Sequence, residues 1–104
     1  MRRVIEGRIY DTETADCLHS YEAPHYCSDF HWFKEALYRT RKGAYFVSGE
    51  GNALSRWAEP CADGRGPGEG IRPLSPDEAL AWMEDHGADA DDIAEAFSDK
   101  VEEA

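Results

Sequence analysis

Cys17, His19, His25, Cys27 and His31 form one cluster of metal-binding residue types, its first four written C-x-H and then H-x-C. On neighbouring strands, side chains at i and i+2 share a side, so the four could present two thiolates and two imidazoles, a donor set that suits tetrahedral zinc. The spacing argues against this. Structural zinc sites favour C-x-x-C and H-x-x-x-H knuckles, and this stretch has neither. The expectation is therefore no metal and no cofactor, with the cysteines as small buried groups and the histidines in turns. A Cys–His nucleophile built on Cys27 or Cys61 lacks any surrounding signature. Gly64, Gly66, Gly68 and Gly70 are not a phosphate loop, because no G-K-[ST] follows and Gly70 runs into Ile71–Leu74, which reads as a strand. No enzymatic activity is expected. Cys17, Cys27 and Cys61 are odd in number and contain no CxxC pair, which fits a reducing cytoplasm rather than a disulfide framework.

Carboxylates are the chain's most abundant chemistry. The net charge over 104 residues is −11, and it is unevenly placed. Residues 1–58 hold eight Lys/Arg and eight Asp/Glu, whereas residues 59–104 hold three and fourteen. The candidate partner-binding residues are Asp77, Glu78, Glu84, Asp85, Asp89, Asp91, Asp92, Glu95, Asp99, Glu102 and Glu103. Carboxylates spaced on a rigid scaffold resemble duplex phosphates, which carry one charge per about 1.7 Å of helix axis. A protein with a Lys/Arg-lined nucleic-acid groove could accept such a surface, and long-range attraction would speed the encounter. The plainer reading is a solvated face that keeps the chain soluble. Arg39, Arg41 and Lys42 make a basic hairpin tip beside Tyr38, Tyr45 and Phe46. With the whole chain so acidic, this tip is expected to pair with Glu35, Glu50 or the acidic helices rather than bind nucleic acid directly.

These residues need elements to hold them, and the pattern predicts an α+β fold. It comprises a small antiparallel sheet of three to five strands, followed by two short acidic C-terminal helices covering one side. A single domain over 1–104 is expected: mainly β and charge-neutral over 1–58, a glycine-rich loop at 59–71, and an acidic helical pair at 75–104. Residues 2–11 read as one half-buried strand, with Val4, Glu6, Arg8 and Tyr10 on one face and Ile5 and Ile9 on the other. Asp11–Thr14 supplies a turn into a second strand. Leu37–Tyr38 and Ala44–Val47 read as a hairpin around Lys42-Gly43. The stretch before it is ambiguous between a helix capped by Ser28 and a strand through Phe30, Trp32 and Lys34. The glycines at 64–70 with Pro67 predict no regular structure. Ser75-Pro76-Asp77-Glu78 is a capping box with proline at the first helical position. Leu80 and Met83 should point inward, flanked by Ala79 and Trp82, and Gly87 should end the helix. Asp89 then caps a second helix, with Ile93, Phe97 and Val101 on one stripe and the carboxylates on the opposite arc. No stretch has the apolar length of a membrane span or signal peptide, so a cytoplasmic location is expected.

Tyr10–Ala15 (Y-D-T-E-T-A), Leu37–Gly43 (L-Y-R-T-x-K-G, with Arg41 at the variable position), Gly49–Gly51 (G-E-G) and the acidic helical end form a pattern over most of the chain. In this pattern the chain resembles small acidic proteins of phages and bacterial mobile elements, and among those most nearly the anti-CRISPR inhibitors. Where that group often has G-E-G-G, this chain has Asn52. The resemblance implies a non-enzymatic inhibitor acting in the cytoplasm of a bacterial host. It would bind a CRISPR effector, such as a type I surveillance complex, and block target DNA by acidic mimicry, without catalytic residues. Two alternatives come from the residues themselves. One is a mobile-element accessory module docking a protein partner through an aromatic sheet face of Tyr10, Tyr21, Trp32, Tyr38, Tyr45 and Trp57. The other is a small protein stabilised by zinc on Cys17, His19, His25 and Cys27.

Overall fold

The computed structural model describes residues 1–24, 29–62 and 64–104. His25, Cys27 and Ser28, which carry part of the zinc expectation and the alternative helix cap, lie outside the described residues. The described chain is an antiparallel β assembly followed by two helices, as the sequence predicts. Its centre is a four-stranded sheet in the order β3 (Asp16–Ala23), β4 (Phe33–Arg39), β5 (Tyr45–Gly51), β8 (Gly68–Leu74). The turn between β4 and β5 falls where Lys42-Gly43 places it, with Gly43 at φ 87°.

Residues 2–11 form a hairpin, not one strand. β1 (Arg2–Ile5) pairs with β2 (Arg8–Asp11), Val4 opposite Ile9. The turn residues Glu6 and Gly7 both have positive φ, 51° and 79°, as a tight two-residue hairpin requires. Glutamate is not a residue that announces such a turn, and the alternation across it continued unbroken. The hairpin does more than extend a sheet. Tyr10 is buried edge-on against Phe46, which stacks on Tyr38. The sheet is therefore covered on both faces, not on one.

The glycine-rich stretch is also structured. β6 (Glu59–Cys61) pairs with β7 (Gly64–Gly66), and β8 begins at Gly68. Gly70 sits directly across from Gly49 in the β5–β8 ladder, and the Trp57 indole lies over this pair. A Cβ on Gly49 would overlap the ring, and one on Gly70 would sit 3.3 Å from it. Gly49 and Gly70 are strand residues over which a large side chain needs a flat floor, which turn statistics do not anticipate.

The helices lie on the other face from Tyr10. α1 (Pro76–Asp85) starts as the capping box predicts: the Glu78 amide donates to Ser75 Oγ at 3.1 Å, and the Ser75 amide donates to Glu78 Oε1 at 2.9 Å. It ends at His86, followed by Gly87 at φ 71°. Its inward stripe is Ala79, Trp82 and Met83, with Leu80 only partly buried. The face is rotated from the expected Leu80–Met83 direction because the Trp82 N–H has a buried acceptor on β4. α2 is short, Ala90–Ala96, and closes at Phe97 rather than running on to Glu103. Phe97 leaves helical geometry at φ −129°, and the amides of Lys100 and Val101 both fold back onto its carbonyl. Ser98 and Asp99, weak helix formers, follow this break, and Val101 still reaches the core by the tighter route. Asp99, Glu102 and Glu103 therefore lie on irregular chain.

The core between sheet and helices is Leu37, Val47, Ala79, Trp82, Met83 and Phe97. Tyr45 stacks on Phe97 at 5.2 Å. Each large member contributes roughly 1.5–3 kcal/mol on burial. With hairpins projecting from the sheet, the molecule measures 49 × 32 × 20 Å, and its radius of gyration of 14.8 Å exceeds the roughly 13 Å usual for 100 residues.

Candidate interaction surface

Glu35 is the residue on which the helical face is organised. It is fully buried on β4 between Phe33 and Leu37. One row crosses the sheet here: Tyr21, Glu35, Gly49 and Gly70, paired strand to strand. Trp57 Nε1 donates to Glu35 Oε2 at 2.8 Å, and Trp82 Nε1 donates to Oε1 at 2.9 Å. The half-exposed Arg56 brings its Nε to 3.4 Å from Oε2 and its guanidinium over the Phe33 ring at 4.7 Å. A buried carboxylate is tolerable only when paired and hydrogen-bonded, and all three partners come from elements that it thereby fastens to the sheet.

Histidines complete the clamp. His86 stacks on Trp82 at 4.5 Å and meets Tyr21 edge-on at 4.6 Å. His86 Nδ1 lies 2.6 Å from the Trp82 carbonyl, and His19 Nε2 lies 2.9 Å from the His86 carbonyl. Because carbonyls only accept, each of those ring nitrogens carries the proton. His19, a strand residue and not a turn residue, thus ties β3 to the end of α1, the His86 ring donates back within α1 and meets β3 through Tyr21, and His31 and His86 stand in turns.

The zinc arrangement has no support among the described residues. A β-bulge separates Cys17 from His19: Cys17 faces Tyr38 and His19 faces Leu37, on opposite sides of the sheet. The rule that i and i+2 share a side fails at a bulge. No group of three or more His, Cys, Asp or Glu is arranged for a metal among the described residues. Cys17 is exposed, not buried, and together with burial it raises the Tyr38 hydroxyl pKa, burial being the larger cause. Cys61 is likewise exposed.

The aromatic residues do not form one face. Tyr10 and Tyr38 lie on the hairpin side, whereas Tyr21, Tyr45 and Trp57 pack on the helical side. Trp32 donates to Glu22 Oε2 at 2.8 Å. These rings are used in internal packing. The expected pairing of Glu35 with the basic tip is also overturned, since Glu35 is buried against Arg56, and no salt bridge joins Arg39, Arg41 or Lys42 to a carboxylate among the described residues.

The acidic residues are where a macromolecule could reach them. Asp77, Glu78, Glu84, Asp85, Asp89, Asp91, Asp92, Glu95, Asp99, Glu102 and Glu103 are all exposed. Of these eleven, only Asp77 has a salt bridge among the described residues, to Lys100 Nζ at 2.7 Å. That contact and the lysine's nearness to Asp77 raise the Lys100 pKa, while the Ser75 hydrogen bonds hold Glu78 below the usual carboxylate range. Glu84 and Asp85 occupy the last turn of α1, where no basic residue stands and the helix dipole disfavours negative charge. Sequence reasoning found this surface but missed the Glu35 clamp behind it. The signal was there: Phe33, Glu35 and Leu37 alternate onto one face, and a glutamate at a core position needs donors.

No known protein family, curated protein or solved structure matches this chain. No helix among the described residues is long and apolar enough to cross a membrane.

Proposed function

We propose that the protein is a non-enzymatic inhibitor that presents its acidic helical end to the basic nucleic-acid channel of a partner protein. The partner suggested by the sequence resemblance is a CRISPR effector, a type I surveillance complex in particular. One observation carries the reading: eleven exposed carboxylates over residues 75–104 face a single lysine. A surface kept only for solubility gains nothing from placing Glu84 and Asp85 where the α1 dipole opposes them. A surface selected for its charge tolerates that cost. The Glu35 clamp supplies the rigidity that a decoy of a stiff duplex needs, because it fixes α1 to the sheet.

The test mixes the protein with purified surveillance complex and follows target-duplex binding across a salt series. Inhibition should weaken steeply as salt rises. Replacing Asp91, Asp92, Glu95 and Asp99 by Lys changes residues 75–104 from −10 to −2 and should abolish inhibition while leaving the circular dichroism of the fold unchanged. A folded quadruple variant that inhibits as well as the parent would overturn the proposal.

A further inference from the structure

The hairpin side of the sheet, on the face opposite the helices, carries a different chemistry. A groove of about 780 Å³ runs between the β1–β2 hairpin and the β4–β5 turn. Arg8 comes from the first and Arg41 and Lys42 from the second, Tyr10, Thr14 and Thr40 line it as well, and no carboxylate does. None of these three cations has a salt bridge among the described residues. Cations left unpaired in a chain of net charge −11 are a placed feature. Beside the groove, Val4 and Ile9 form a cross-strand pair on the hairpin, 68% and 54% exposed.

We infer that this groove binds an acidic peptide segment of a partner protein, one in which carboxylates alternate with apolar side chains. The three cations would take the carboxylates, and Val4 and Ile9 would take the apolar residues. Tyr10 is 6% exposed and already held edge-on by Phe46, so it offers no ring for a base to stack on, which disfavours single-stranded nucleic acid. A second copy of this chain could supply carboxylates, but its Ile93 and Val101 are packed against its own core. The rest of the surface repels acidic ligands, so attraction can only be local, and at physiological salt the groove's charges are felt over about 8 Å. The inference is independent of the function proposed for the acidic end.

The probe is a fluorescein-labelled peptide of alternating Glu and Leu, titrated with the full chain and followed by anisotropy. It should bind roughly tenfold or more tightly than a Glu-only peptide or an oligo-dT strand, and the double reversal Arg41→Glu, Lys42→Glu should weaken it roughly tenfold or more. Arg72→Glu, an exposed cation on β8 outside the groove, should leave binding unchanged. Both changed positions of the double variant are exposed, and circular dichroism confirms that each variant is folded. Oligo-dT binding as tight as the Glu–Leu peptide would overturn the inference. So would peptide binding indifferent to the double reversal, or sedimentation showing self-association that the double reversal removes.

Discussion

Glu35 accepts from two indole N–H groups and faces one guanidinium. Every one of these partners is a donor, so the position requires an acceptor at both oxygens. Glu35→Gln keeps the shape but turns one acceptor into an NH₂ group that must point at an indole N–H. A buried donor then loses its acceptor, at a cost of roughly 1–3 kcal/mol. Urea unfolding of this variant should show that loss. The triple variant Glu35→Leu, Trp57→Phe, Trp82→Phe removes the acceptor together with both indole donors and should recover part of it, because a polar group deleted with its partners leaves neither indole unsatisfied and the half-exposed Arg56 can turn to water. Equal midpoints for Glu35→Gln and the parent would mean that the carboxylate is not the fastening point of the helices.

At the scale of the element, α1 depends on its first turn. Ser75→Ala removes the cap and should destabilise the protein by about 1 kcal/mol in urea unfolding. The capping glutamate adds a pH dependence whose sign follows from its lowered pKa. Its ionised form is favoured in the folded state, so its contribution is complete above the ordinary carboxylate range and disappears as pH falls through the folded value. Glu78→Ala should therefore differ from the parent most at neutral pH, and the gap in urea midpoint should narrow on acidification below about pH 4.5. The capping box was legible in the sequence because it is written in consecutive residues. So were the β4–β5 hairpin, closed by Lys42-Gly43, and the exposure of the carboxylates. The β1–β2 turn was not, because Glu6 does not advertise a positive φ. Nor was the strand character of Gly68–Gly70, because the close approach of Trp57, its carbonyl against Gly68 and its ring over Gly49 and Gly70, arises only in the tertiary fold. The Cys17–His19 expectation failed on a single bulged residue, Leu18. Local chemistry was readable; long-range partners were not.

Across the whole molecule, charge is separated. Residues 1–58 balance to zero, and their cations Arg8, Arg41 and Lys42 line one groove on the hairpin face of the sheet, while residues 75–104 carry −10. With one lysine among the acidic residues, like-charge repulsion at the helical end is offset mainly by solvent ions, which has a consequence for the free protein. Raising NaCl from a few millimolar to about 0.5 M shortens the Debye length from more than 30 Å to a few ångströms, so the melting temperature of the isolated protein should rise. Inhibition of a basic partner, by the same screening, should fall over the same range. The variant with Asp91, Asp92, Glu95 and Asp99 changed to Lys should melt higher than the parent at low salt and respond less to added NaCl, since the repulsion being screened is largely gone. Opposite salt slopes for stability and for binding, both flattened in that variant, are what a charged surface held against its own repulsion produces. If the parent instead melted lower as NaCl rose, attractive ion pairs would govern its stability, and the acidic end would owe its form to internal pairing rather than to a partner.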